Sequence, residues 1–244
     1  HRDLHSFPTR RSSDLNSKIH DFNGQLTSQA TGNGLRTLRS NNILLSSNQI
    51  HSNNGCGINI YNSSSYIQAI NNTIWNNTEI GIESEGRSGE DYTNYRNSHI
   101  TISGNAIQGK TEPGRLDDHG IIADWTDNVD ISSNQCVNNN HNGIEILGCT
   151  NAKVVSNTMA NNGDIGLPYT WAGINVTAEG YGEDGRSYDT TIQNTQITGS
   201  HFGINIDSAI RTTISGNSMS AIPNTSLLLG SIGGGGVNIT GANT

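Results

Sequence analysis

The amino-acid sequence predicts an all-β solenoid in which short parallel strands wind through about seven to eight rungs. Three observations predict it. A pattern I-x-I-x-x-N-x-I stacks on itself so that Asn48, Asn72, Asn105, Asn134, Asn157 and Asn217 share one column, with Thr195 in the remaining place. A second pattern, Gly-Ile-x-apolar, recurs at Gly57-Ile58, Gly81-Ile82, Gly120-Ile121, Gly143-Ile144, Gly173-Ile174 and Gly203-Ile204, and Gly34-Leu35 and Gly236-Val237 extend it. No segment carries a sustained helical period.

Each element of the repeat has a reason. Successive places in the asparagine column differ by 24, 33, 29, 23, 38 and 22 residues, so the base unit is 22 to 24 residues and three units carry insertions. Apolar or small residues precede the asparagine at alternate positions, as in Ile67 and Ala69 or Ile100 and Ile102, which makes a strand with one face inward. Two residues after it stands Ile50, Ile74, Ile107, Cys136, Met159, Ile197 or Met219. Each unit therefore holds at least two short strands joined by turns. Asparagine tolerates the left-handed backbone of a tight turn, and its amide can bond to the asparagine above and below. The column is read as structural and given no chemistry. Strands this short cannot bury their apolar faces alone, and coiling lays each unit on the one before.

These motifs resemble the right-handed parallel β-helix repeat family, the fold of pectate lyases and their relatives, over roughly residues 17 to 240. Handedness is implied by that resemblance. Composition agrees: 32% of residues are hydrophobic, which suits a thin cylinder, and 14% are charged, too few for a charge-rich disordered chain. Residues 1–16 are set aside as an artefactual or disordered segment, because "HSFPTRRSSDL" reads as a translated sequencing adaptor joined to a gene assembled from environmental reads. Residues 17–244 form the β-helix domain, expected to be a fragment of a longer solenoid.

The net charge of −8 disfavours nucleic acid, whose phosphates need Lys and Arg. No membrane span is present, and an extracellular or cell-surface monomer is expected. The odd count of three cysteines, Cys56, Cys136 and Cys149, argues against a disulfide framework.

Function is sought where the repeat is interrupted. Insertions at 86–98, 108–118, 163–171 and 178–189 all border the Gly-Ile stretch, and such loops would wall a groove over a rigid floor. With Ile82, Ile121 and Ile144 turned inward, Glu83, Glu85, Asp124 and Glu145 face outward on adjacent rungs. Strand spacing and residue rise predict about 5 Å between Glu85 and Asp124 and about 8 Å between Asp124 and Glu145. Such pairs suit a general acid, a retaining or inverting glycosidase, or a calcium ion held by Glu85 and Asp124.

The stretch "LDDHGIIADW" adds Asp118 and His119 on one side and Trp125 on the other, a histidine among acids and a ring face for a sugar. Its Asp-x-His resembles the Asp-Pro-His of alginate epimerases without the proline, and its Asp-Asp resembles that of polygalacturonases. The walls supply Tyr92, Tyr95, Arg96, Trp171 and Tyr181 for substrate, and Arg115 to neutralise a uronate. The expectation is a polysaccharide-binding, carbohydrate-active protein (lyase, epimerase or glycosidase) with His119, Asp118, Asp124, Glu145 and Arg115 catalytic. The rival expectation is a non-catalytic adhesive solenoid or an inactive fragment.

Overall fold

The inward isoleucines set the architecture. A computed structural model describes residues 12–15, 17–20, 32–86, 95–109, 118–163, 171–178, 185–230 and 237–240. In them three parallel sheets of nine, eight and eight strands run the length of the coil. One circuit takes one strand from each, for example Ser65–Ile70, Thr73–Trp75 and Ile82–Glu85. Each unit thus holds three strands, one more than the minimum read from the alternation. The three-residue strands of the second sheet are too short to show a period of their own.

Register follows the motifs. Ile58, Ile82, Ile121, Ile144, Ile174 and Ile204 align across the third sheet, and each is fully buried. Ile50, Ile74, Ile107, Cys136, Met159 and Ile197 fill the second sheet's inward column. Burying one such isoleucine contributes about 1.5–3 kcal/mol, and the stack repeats that gain on every rung. The final motif reads differently from its sequence. Val237–Thr240 pairs with Thr212–Ser215 in the first sheet, and the third-sheet strand of the preceding circuit is Leu227–Leu229. Ser12–Leu15, set aside on sequence grounds, lies beside Ile43–Ser46.

The asparagine column forms the corner between first and second sheets. The backbone N–H of Asn72 donates to Asn105 Oδ1 at 2.8 Å, that of Asn105 to Asn134 Oδ1 at 3.0 Å, and that of Asn134 to Asn157 Oδ1 at 2.9 Å. The left-handed backbone, however, belongs to the residue before each asparagine: Ser47, Asn71, Gly104, Ser133, Ser156, Asn194 and Gly216. The ladder residue is selected for its amide and its predecessor for the bend. A second corner ladder, five residues on, passes unnoticed in the sequence: Asn53 to Asn77, and Asn139 to Asn162 to Ser200. On the rung between Asn77 and Asn139, Asp118 Oδ2 accepts the N–H of Asn140 at 3.2 Å.

Candidate functional site

Counted from each third-sheet glycine, the residues two and one before it and two after it form three columns outside the core. On consecutive rungs these columns hold His119, then His141 and Glu145, then Trp171 and Asn175, then Asn205. The register pairs Glu145 with Asn175 and Asn175 with Asn205. These columns adjoin the sequence insertions at 108–118 and 163–171, so the units whose length departs from the repeat are those that carry the cluster.

Their side chains form one connected chain. His119 Nε2 lies 3.0 Å from His141 Nδ1, and His119 Nδ1 lies 3.1 Å from Glu145 Oε2. The second contact is within ion-pair range, although His119 Nδ1 lacks the alignment of a hydrogen bond. Asn175 Nδ2 donates to Glu145 Oε1 at 2.7 Å, and Asn205 Nδ2 donates to Asn175 Oδ1 at 2.7 Å. His141 stacks on Trp171 with centroids 4.0 Å apart, and His119 meets the same ring edge-on at 5.7 Å.

Burial sets the protonation. His119 and Glu145 are 6% and 8% exposed. Burial pulls His119 down to about 3, so it is a neutral imidazole at neutral pH. Burial also raises Glu145, against the lowering influence of its hydrogen bonds from Asn175 and Asn142 and of nearby His141. Desolvation is the leading cause at both groups, and it favours the neutral form of each. The imidazole has two consistent tautomers. With the proton on Nδ1 it faces the Glu145 carboxylate and accepts from His141. With the proton on Nε2 it faces His141 and a protonated Glu145. Passing from the first to the second adds one proton, taken up at His141 Nε2, while His141 Nδ1 passes its proton to His119 Nε2 and His119 Nδ1 passes one to Glu145.

The other expected residues fall into place unevenly. Asp118 is buried and accepts the N–H of His141 at its carbonyl, so it holds the segment that presents that ring. Glu85 and Asp124 are cross-strand partners, and the next position of that column is Leu147. Among the described residues no three His, Cys, Asp or Glu side chains converge as metal ligands, and a cation between Glu85 and Asp124 would need backbone carbonyls or waters for its other ligands.

Glu83 accepts from the Cys56 thiol at 3.3 Å and from Asn59 Nδ2. Burial first, and then the Glu85 charge, push it up to about 7. Trp125, expected to offer a face to sugar, is 7% exposed at a left-handed corner (φ 45°). Arg96 lies over it at 5.1 Å. That arginine, expected to bind substrate, is fastened to Asp127 at 2.6 and 2.9 Å and to the Gly148 carbonyl at 2.9 Å. Tyr95 sits under the Arg39 guanidinium at 5.6 Å. Arg115, Tyr92 and Tyr181 lie outside the described residues. Sequence reasoning missed His141, Asn175 and Asn205. The signal for His141 was its place two residues before Gly143, matching Trp171 before Gly173.

Stacked parallel sheets with an asparagine ladder define a parallel β-helix, with a buried imidazole–carboxylate chain outside its third sheet. A model of the family described as periplasmic copper-binding protein (NosD) matches residues 84–178. No curated protein sequence matches the chain significantly. Among solved structures, it is similar to the A-module of an Azotobacter vinelandii mannuronan C-5 epimerase, at 15% identity and a TM-score of 0.70, over 87% of this chain and 55% of that one. It is similar to an alginate lyase from Paenibacillus sp. str. FPU-7, at 14% identity and 0.61, over 88% of this chain and 78% of the lyase. A surface adhesin of Streptococcus pneumoniae matches at 14% identity and 0.58, over 96% of this chain and 69% of the adhesin. At these identities the likeness is one of fold. The chain spans just over half the length of the epimerase module.

Proposed function

We propose that this protein binds an extended polysaccharide outside its third sheet and acts on it by proton transfer through His119 and Glu145. The observation that carries the reading is the buried chain Asn205–Asn175–Glu145–His119–His141 stacked on Trp171. A solenoid has no structural need for a carboxylic acid and two imidazoles on its outer face. Burying them costs free energy unless they are paired, and such perturbed groups mark chemical sites. His119 and Glu145 offer a proton acceptor and a proton donor side by side, and a substrate that brings charge or water to the pair would raise the basicity that burial now lowers in His119. Trp171 sets an indole beside the pair, the kind of ring against which a sugar packs. The epimerase, the lyase and the adhesin of similar fold show what such a coil can host, and a location outside the cytoplasm accords with the adhesin and the periplasmic family. Copper does not fit the described donors. His119 and His141 engage each other and Glu145, and all three cysteines are buried.

A second reading, binding without turnover, is favoured by depth, since the His119 and Glu145 side chains are only 7% and 10% accessible. The test incubates the unmodified chain, H119A and E145Q with uronate and neutral polysaccharides, following unsaturated products by absorbance and new reducing ends separately. Epimerisation is followed by proton NMR of the recovered polymer. Turnover by the unmodified chain that falls by about a hundredfold or more in both variants supports the assignment. Turnover that survives either substitution removes it, and binding with no turnover at all establishes the second reading.

A further inference from the structure

The first sheet carries a groove remote from His119. In each of its long strands one residue adopts left-handed backbone and drops out of the pairing: Ser65 pairs with Asn41 and Ile67 with Ile43, while Asn42 and Tyr66 between them are skipped. The bulged column continues through His99, Asn128, Asn151 and Asp189 to Arg211. Asparagine is what such a position selects, because its short side chain tolerates the conformation. Tyr66 and His99 break that rule on neighbouring rungs, at φ 54° each, as Arg211 does beside its partner Asp189.

They break it in the open. Tyr66 is 55% exposed and His99 is exposed beside it, with ring centroids 4.6 Å apart and planes 14° from parallel. Neither ring fills the core, and one exposed stack does not offset two bulky residues held in left-handed backbone. Strain of this kind persists where it serves a site. The pair forms one wall of an open cavity of about 590 Å³ whose floor is the outward column Leu44, Gln68, Thr101 and Asp130.

We infer that this groove is a second glycan-binding site, independent of the third sheet, that takes a neutral oligosaccharide. A sugar ring lays its C–H face against the Tyr66–His99 wall, while its hydroxyls bond to the Gln68 amide, the Thr101 hydroxyl and the Asp130 carboxylate. Among the described residues no lysine or arginine lines the cavity, and Asp130 meets carboxylated sugars with like charge, with Lys153 its partner on the next rung of the floor column. Leu44 gives the floor an apolar end. Rungs stacked at about 4.8 Å place like groups in a line along which a linear chain can lie.

The test replaces both aromatics by the column's own residue. Isotope-labelled full-length chain, unmodified and carrying Y66N and H99N together, is titrated with β-1,3-glucan, β-1,4-glucan and β-1,4-mannan hexasaccharides and with oligomannuronate. Amide shifts at Gln68 and Thr101 locate binding, and thermal melting reports folding. The expected result is saturable shifts there with a neutral hexasaccharide, weakened about tenfold or more in the double variant, whose melting temperature is unchanged or higher. Equal affinity in the double variant overturns the proposal. So does a lower melting temperature, which would make the stack structural, and so do shifts with oligomannuronate alone or with no ligand. E145Q leaves these shifts intact, which separates this site from the fate of His119 and Glu145.

Discussion

Replacing Asn105 by alanine measures what the corner ladder contributes. Asn105 Oδ1 accepts from the Asn72 backbone N–H at 2.8 Å and from Asn72 Nδ2 at 2.9 Å. Its Nδ2 donates to Ala69 O and to Asn134 Oδ1, both at 2.9 Å. Asn72 Nδ2 keeps Leu45 O and Asn134 Oδ1 keeps the Asn105 N–H, so those groups retain a partner. The Asn72 N–H does not, and it is enclosed where water cannot replace the amide. An orphaned buried donor costs about 1–3 kcal/mol, and the three remaining bonds contribute about 1 kcal/mol each, so the substitution costs about 4–6 kcal/mol. Because solenoids unfold rung by rung, the assay is native-state hydrogen exchange at Asn72, Ile74 and Ile107, with denaturant melts alongside. Protection should fall about a hundredfold or more at those amides and less at the distant Ile197. A loss under about 1 kcal/mol, or one spread evenly over all rungs, would refute the claim that this column bears the corners.

The ladder's weakest step makes the opposite prediction. Thr195 Oγ1 accepts from Asn157 N–H at 3.4 Å only. T195N restores the amide pairing and should stabilise by about 1–2 kcal/mol in a denaturant melt. Gly143 should not tolerate a methyl group, because a Cβ there would lie 2.7 Å from both the Gly173 carbonyl and Met159 Sδ. G143A is expected to cost about 3 kcal/mol or more and to expose Ile144 to exchange. Glu83 holds its proton up to about pH 7 in the fold against an ordinary value of 4.5. Its contribution is therefore complete below pH 4.5 and lost as pH rises through about 7, so E83Q should flatten that fall in stability. His119 has the opposite sign. It is lowered from 6.5 to about 3, so its contribution is complete above pH 6.5 and lost as pH falls toward 3. H119A should accordingly lose less stability than the unmodified chain on acidification over that window.

Most of the coil was legible because its chemistry repeats. An isoleucine turned inward on every circuit leaves a period, and the asparagine column fixes the phase of the rungs. What failed was local. The left-handed bend falls on Ser133 and Ser156 rather than on the asparagines after them, since the asparagine amide is needed inward along the stack. Gly236-Val237 imitates the third-sheet motif but lies in the first sheet, because the chain has by then made another circuit. In the candidate site, alternation placed Glu145 and Asp124 on the outer face but could not show that face to be enclosed. Trp125 and Arg96 were read as free for ligand for the same reason. Each is consumed by the corner it stabilises, over Asp127 and the Gly148 carbonyl.

The cluster's geometry follows from the coil itself. Residues separated by 22, 26 and 52 positions, His119 with His141, His119 with Glu145 and His119 with Trp171, become neighbours because Gly120, Gly143 and Gly173 mark successive circuits, so the separations are one circuit less one residue, one circuit plus three and two circuits less one. The repeat supplies a lattice of fixed spacing, and the imidazoles and carboxylate need only occupy adjacent lattice points to touch. The insertions leave that lattice undisturbed, as the unbroken pairing of Ile121 with Ile144 and of Ile144 with Ile174 requires. A substitution in the cluster can therefore alter chemistry without moving the scaffold, whereas one in the inward column or at a third-sheet glycine moves every rung that rests on it. If H119A shifted the pairing register as well as proton transfer, the site and the coil would not be separable, and the division of labour drawn from the columns would be wrong.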